Sequence, residues 1–275
     1  MNFPDAATLH SVLDLATRAP SVNDAQPWRW RVGHGALDLF ADPSRYQTRD
    51  DDDHDRDRGR RAELLSCGAA LHHCVVALAA LGWHATVARL PRGCDSDHLA
   101  RVEVKAQPAD DLDIALASAI GRRRSDPRGF GSSPVAWGDI AVMGARAARA
   151  GVMLRRIDSD DAALVAPGDD TSVVLALGTG TDDALARLRA GEACSLVLLS
   201  ATAMGLASCP VTGSLEVPRT REAVRADVFG GNGHPQIMVR IGWAACDAEP
   251  LPDPPRRPLS DVTDWLHGGS FVPAD

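Results

Sequence analysis

GAALHHCVVALAALGW at residues 68–83 and GEACSLVLLSATAMGL at 191–206 are two gapless versions of one pattern, 123 positions apart (191 against 68). Each opens on glycine and closes on glycine followed by a large apolar residue. Around the first copy, Leu64, Gly68, Leu71, Val75, Leu78 and Gly82 alternate at intervals of four and three, one stripe of a long core helix over about 62–82. The second copy lies in a helix over about 183–205. An amphipathic helix and then short strands precede each copy. This shared order predicts two related half-repeats, about 1–108 and 109–250, fused into a single domain with an extended arm at 251–275.

Outward from these helices the elements follow from periodicity. Leu9, Val12, Leu13, Leu15 and Ala16 predict an amphipathic helix over 4–19, with Pro4 suited to its first turn. Strands at 28–32 and 37–40 flank Gly33-His34-Gly35 as a hairpin. The nearly continuous charge of 50–61 predicts a solvated loop. Strands at 85–90 and 99–104 precede a helix at 111–120, and Ser133-Pro134 suits the cap and first turn of a helix reaching about 150. Further strands are expected at 153–157, 173–177 and 237–242. PLPDPPRRPL at 250–259 is too rich in proline for a central strand or helix.

Composition narrows the function classes. The 275 residues are 45% hydrophobic, enough for a substantial core, and a net charge of -8 disfavours nucleic acid as a partner. A local arginine cluster can still hold a phosphate. The start MNFPDAATLH lacks a basic stretch followed by an apolar one, and no apolar run approaches the ~20 residues of a membrane span, so neither secretion nor a membrane partner is expected. Cys67, Cys74, Cys94, Cys194, Cys209 and Cys246 form no C-x-x-C pair, which fits a reducing, cytoplasmic compartment. No metal is expected: His72 and His73 project about 100° apart on a helix, and His54 among aspartates lacks the spacing of a calcium loop.

Three segments carry candidate chemistry. APSVNDAQPWRW at 19–30 is a polar turn entering a strand, its hydroxyl, amide and N–H groups either available to a ligand or serving turn geometry alone. RRRSDPRGF at 122–130 offers guanidinium forks and a hydroxyl suited to a phosphomonoester, or else a solvated basic helix end. GLASCPVTG at 205–213 follows the second repeat helix, where glycine permits close backbone approach to a flat ring.

Together these segments resemble the FMN-dependent nitroreductase superfamily. P-S-V-N-D-A-Q-P-W is similar to its flavin-binding turn A-P-S-x-x-N-x-Q-P-W, which implies FMN contacts from Pro20, Ser21, Val22 and Asn23 and from Gln26, Pro27, Trp28, Arg29 and Trp30. The family's asparagine aligns with Asp24, and a carboxylate is less favourable than an amide beside a flavin or its phosphate. R-R-S-x-x-R-x-F resembles the superfamily's phosphate-binding motif, which makes Arg123, Arg124 and Ser125 the leading phosphate ligands. Pro210, Val211, Thr212 and Gly213 match the loop that lies against the flavin, with the Thr212 and Gly213 N–H groups suited to flavin N5 and O4. Arg256-Arg257-Pro258-Leu259 resembles the arm whose arginine reaches back to the phosphate, Arg256 being the closer match.

The distribution of motifs resembles the Acg-like actinobacterial branch. Ordinary nitroreductases carry both segments once per subunit and bind flavin at the dimer interface; here the first half keeps A-P-S…Q-P-W and the second keeps R-R-S, the loop and the arm. The resemblance implies an α+β nitroreductase-like mixed sheet flanked by helices, a monomeric pseudo-dimer or weak homodimer with one flavin site between its halves. It also implies NADPH- or NADH-dependent reduction of nitroaromatic, quinone or similar small-molecule acceptors through FMN, with no catalytic side chain. The alternative is an FMN-sequestering or storage protein with little reductase activity. One departure is the short connection of about twenty residues between Gly151 and Ser172, where that branch usually has a longer lid segment.

Overall fold

The computed structural model describes residues 3–46, 53–94, 96–157, 172–246 and 248–266, with backbone alone for 53–55. It divides into two compact units, Met1–Gly121 with Pro255–Asp275, and Arg122–Pro254.

In the first unit, α1 (Ala6–Thr17) begins where the Asp5 carboxylate accepts the Thr8 N–H at 2.8 Å, so Asp5 is the cap and Pro4 lies just outside the helix. Strands β1 (Trp28–Gly33) and β2 (Ala36–Ala41) form the expected hairpin. His34 and Gly35 take φ of 52° and 72°, the paired left-handed conformation that matches the strands' twist in a two-residue turn.

The charged stretch 50–61 is not a loop from Asp53 onward: it forms the first turns of α2 (Asp53–Ala80). Local pairing satisfies its charge, Arg60 Nη1 donating to Glu63 Oε2 at 2.5 Å and Nη2 to the Ser96 carbonyl at 3.1 Å. Further along, Leu64, Leu71 and Leu78 are fully buried, and α1 packs on this helix. Arg56–Ala80 is long and apolar enough to cross a membrane, but 83% of its apolar window is buried within the protein, as in a core helix. Strands β3 (Trp83–Arg89) and β4 (His98–Ala106) and helix α3 (Asp111–Arg122) complete this stretch.

The second unit holds α4 (Trp137–Arg149), β5 (Met153–Ile157), β6 (Val173–Thr179), α5 (Ala184–Ala203), β7 (Ala207–Val211), α6 (Gly213–Glu216), α7 (Pro218–Phe229) and β8 (His234–Gly242). α4 starts at Trp137 after an uncapped Ala136, later than Ser133-Pro134 suggests. The preceding segment is held out of the helix by Phe130 bridging to Ala244 and by the Gly131 N–H donating to the Trp243 carbonyl at 2.7 Å. α5 is buried nearly all round, and Val197, Leu198 and Ala201 meet Leu175, Leu177 and Val239 of the sheet in one apolar cluster. Residues 207–211, read from sequence as loop, form an edge strand, where Pro210 is tolerated because a missing N–H costs least there.

Both units run helix, two strands, long buried helix, strand, and later a final strand. The strand orders correspond, β3-β4-β2-β1 in the first unit and β7-β8-β6-β5 in the second, with these neighbours all antiparallel. The equivalent pairs β2/β4 and β6/β8 each break register once, at Leu39/Phe40 and at Leu177/Gly178.

Residues 248–258, the end of the second unit and the start of the first unit's C-terminal segment, carry no helix or strand; α8 (Leu259–Val262) and β9 (Thr263–Trp265) follow. β9 pairs parallel to β1, making the first unit's sheet mixed. The Leu266 N–H donates to the Val32 carbonyl at 2.9 Å. Gly33 makes room for it, since a Cβ there would lie 2.7 Å from Leu266 Cβ. The short connection between Gly151 and Ser172 falls mostly on 158–171, outside the described residues.

Candidate functional site

The turn after α1 is held in an unusual backbone conformation. Asn23, Asp24 and Gln26 have φ of 54°, 51° and 49°, left-handed values at three non-glycine residues within four positions. Each such residue costs about 1 kcal/mol or more, so surrounding bonds must impose the conformation. They are present: Ser21 Oγ accepts the Gln26 N–H at 3.0 Å, the Val22 N–H donates to Ser66 Oγ at 3.0 Å, and the Tyr46 hydroxyl donates to the Val22 carbonyl at 3.0 Å. Pro20 is half-buried and leads into the turn, while Asn23 and Asp24 are exposed.

The residues that follow behave differently. Trp28 and Trp30 are fully buried. They point inward on β1, and Arg29 between them is exposed and pairs with Asp264 at 3.3 Å. Pro27 is buried, its carbonyl accepting the Asp42 N–H at 2.9 Å.

The C-terminal arm docks on this same turn. Arg256 Nη1 meets Asp24 Oδ1 at 2.7 Å, and its Nη2 donates to the Arg18 carbonyl at 3.3 Å. Gln26 is only 5% exposed; its Nε2 donates to the Pro255 carbonyl at 3.2 Å and its Oε1 accepts the Arg257 N–H at 2.9 Å. Arg257 Nη1 donates to the Gln26 carbonyl at 3.1 Å and reaches Asp42 Oδ2 at 3.4 Å. Asp24, the one departure from the family's turn, therefore faces an arginine of the arm. Sequence reasoning missed that pairing, although an added carboxylate and an arginine-bearing tail are complementary. It also missed Tyr46 and Ser66, which no local pattern connects to residue 22.

In the second unit, Arg123 is 3% exposed and its Nη1 donates to Ser125 Oγ at 3.1 Å. Arg124 is half-buried, bonds the Arg123 carbonyl at 2.8 Å and pairs with Asp253. Ser125 is exposed and forms a parallel bridge with Ser208 of β7, reinforced by the Asp126 N–H donating to the Ser208 carbonyl at 2.9 Å. The Arg128 fork grips Asp126 with both bonds at 2.8 Å and holds its carboxyl below the usual carboxylate range. β7 then runs from the level of Ser125 toward Thr212 and Gly213. Gly213 is exposed, and a Cβ there would meet nothing within 4 Å, so the backbone is open to close approach. Pro210 and Val211 are half-buried in β7. Among the described residues no group of three or more His, Cys, Asp or Glu is arranged to hold a metal.

No protein-family model matches the chain. A crystal structure of an Anabaena variabilis protein, provisionally described as a nitroreductase, superimposes with a TM-score of 0.67 at 9% identity, over 89% of this chain and 90% of that one. The fold is thus the α+β nitroreductase fold. A Mycobacterium tuberculosis H37Rv protein provisionally named NAD(P)H nitroreductase Rv3131 is 46% identical, covering 96% of this chain and 93% of its own. A second from the same organism, provisionally named NAD(P)H nitroreductase acg, is 33% identical over 92% and 94%. The chain belongs to the NAD(P)H nitroreductase family, in its Acg-like branch. The alignment with Rv3131 spans 326 positions against 275 residues, so at least 51 positions of that relative have no counterpart here.

Proposed function

We propose that this chain is a cytoplasmic FMN-binding oxidoreductase that uses NADPH or NADH to reduce nitroaromatic, quinone or similar small-molecule acceptors. One observation carries the reading: Ser125 is bridged to Ser208 while Thr212 and Gly213 follow the same strand. Four extended residues separate a phosphate-binding motif from an open backbone by about 13 Å, a reach comparable to that of a ribityl chain with the near edge of its ring. The donor set fits the cofactor at both ends.

Arg123 fixes the Ser125 hydroxyl, Arg124 brings the charge that a phosphate dianion needs, and the Thr212–Gly213 backbone offers N–H groups to a ring edge. Pro20, Ser21, Val22 and Asn23, with Gln26, Pro27, Trp28, Arg29 and Trp30, form the second element that family resemblance assigns to the flavin. FMN, when bound, supplies the redox chemistry, and the protein contributes binding, orientation and electrostatics. The test is purification with added FMN, a visible spectrum, and NADPH oxidation with a nitroaromatic acceptor. Protein that stays colourless and fails to bind FMN by titration overturns the proposal; a tightly bound flavin that NADPH does not reduce supports sequestration instead.

We also infer that the two units are fused copies of one half-repeat. The shared strand order and the matching register breaks support this reading.

A further inference from the structure

The strained turn at 21–26 takes its shape from side chains that lie outside every motif assigned to FMN. A short 3₁₀ turn (Pro43–Arg45) after β2 brings in two of them. Arg45 Nε donates to the Ala25 carbonyl at 2.9 Å, and Tyr46 follows directly, its hydroxyl donating to the Val22 carbonyl at 3.0 Å. α2 supplies two more. Ser66 Oγ accepts the Val22 N–H at 3.0 Å, and the Cys67 thiol donates to the Pro27 carbonyl at 3.2 Å. Both backbone groups of Val22 are therefore held by tertiary bonds, and the left-handed residues lie between Val22 and Pro27.

The protons of this cluster can be accounted for. Ser66 donates its single proton to the Ala62 carbonyl, one helical turn back at 2.6 Å, which fixes its rotamer and leaves its oxygen to accept. The Tyr46 proton goes to the Val22 carbonyl, with Ser66 Oγ as a second acceptor at 3.2 Å. Burial pushes the Tyr46 phenol up, so it keeps that proton. Ser66 is 2% exposed, and water has no access to replace it.

We propose that Tyr46 and Ser66 are positioning residues for the flavin: they hold Ser21–Gln26 in its left-handed form before FMN arrives, so that binding does not have to impose it. The inference rests on the FMN-binding function proposed above. Asn23, Asp24 and Gln26 all disfavour positive φ, and a ligand's affinity for a partly populated conformation falls in proportion to that population. One neutral hydrogen bond is worth roughly fivefold in such an equilibrium.

The test combines FMN titration of the full-length protein by fluorescence quenching, stopped-flow association, and amide exchange without FMN. Tyr46→Phe keeps the ring and loses only the hydroxyl; Ser66→Ala loses the acceptor. Each should speed exchange at Ala25 and Gln26, whose N–H groups are bonded within the turn, about fivefold. Tyr46→Phe, which leaves α2 intact, should weaken FMN about threefold and the double variant about tenfold, with the loss in the association rate. Measured against Asp24→Gly alone, the double variant's penalty should shrink to about threefold or less, because glycine takes positive φ without steric cost. A merely structural role gives the same penalty in both backgrounds. An undiminished penalty in Asp24→Gly, or a loss confined to the dissociation rate, overturns the proposal. So does unchanged FMN affinity in both Tyr46→Phe and the double variant, which leaves the functional reading intact; a parent protein that binds no FMN overturns both.

Discussion

Gln26 offers the sharpest test of how the strained turn and the arm depend on each other. Its side chain is buried and satisfies both the Pro255 carbonyl and the Arg257 N–H, at 3.2 and 2.9 Å. Gln26→Leu keeps the bulk and removes both bonds. It leaves one buried acceptor and one buried donor without partners, at about 1 to 2 kcal/mol each and thus about 2 to 4 kcal/mol in all. The loss falls on docking of residues 255–266, not on the cores. Amide exchange at Arg257 and Leu266, whose N–H groups are bonded in the docked arm, should accelerate roughly 30- to 700-fold while amides in β2 and β4 stay protected. Hydrogen exchange with mass spectrometry resolves the two regions. An arm that exchanges no faster in Gln26→Leu, or one that loosens only together with the whole first unit, refutes the reasoning.

Other consequences are more local. Arg124→Gln should weaken FMN binding about tenfold and Ser125→Ala about threefold, read by quenching of FMN fluorescence on titration; unchanged affinity in both argues against the phosphate assignment. Gly178→Ala places a Cβ 2.6 Å from the Phe229 ring, within the apolar cluster of β6, β8 and α7, and should destabilise the second unit by about 1 to 3 kcal/mol in urea unfolding. An unchanged midpoint sinks that estimate. Asp126 has a folded-state carboxyl below its ordinary value of 3.8, chiefly through the Arg128 bonds, so its contribution is present above that value and disappears as pH falls through the lower folded one. Asp126→Asn should therefore cost stability at pH 6 but make the acid limb of a pH–stability curve shallower; parallel curves for parent and variant contradict the pairing.

The fold was legible wherever one periodicity ran long enough. α2 and α5 announced themselves because their apolar residues recur at helical intervals and their ends share glycine. Local patterns failed where tertiary partners decide. The charges of 53–61 looked unfit for packing, yet Arg60 finds Glu63 three residues on and the Ser96 carbonyl far along the chain. Ser133-Pro134 has the chemistry of a helix start, but bonds to Trp243 and Ala244 fix that stretch elsewhere. β7 contains a proline and only five residues, and becomes a strand only because β8 lies beside it. The burial of Trp28 and Trp30 was written in the alternation W-R-W-R-V, which assigns the tryptophans and the arginines to opposite faces of β1. Family resemblance drew attention to the segment as a whole and obscured that alternation.

At the candidate site, adjacency in sequence was readable and competition between charges was not. Arg124 and Arg256 were both expected to meet a phosphate, and both face carboxylates, Asp253 and Asp24. Those carboxylates are 64% and 44% exposed at the side chain, so each pair contributes at most about 1 kcal/mol and can exchange for a phosphate dianion. The family's own residue supplies the discriminating experiment. Asp24→Asn restores the amide and releases Arg256 from its ion pair. If Arg256 is a phosphate ligand, removing the competitor tightens FMN by up to about fivefold, and the gain shrinks with added salt. If Arg256 is only the tether of the arm, FMN affinity stays level while exchange at Arg257 quickens, because the turn has lost one of the bonds that hold the arm in place. Tightened FMN binding with slower arm exchange fits neither role and shows that the Asp24–Arg256 pair strains the turn instead of securing it.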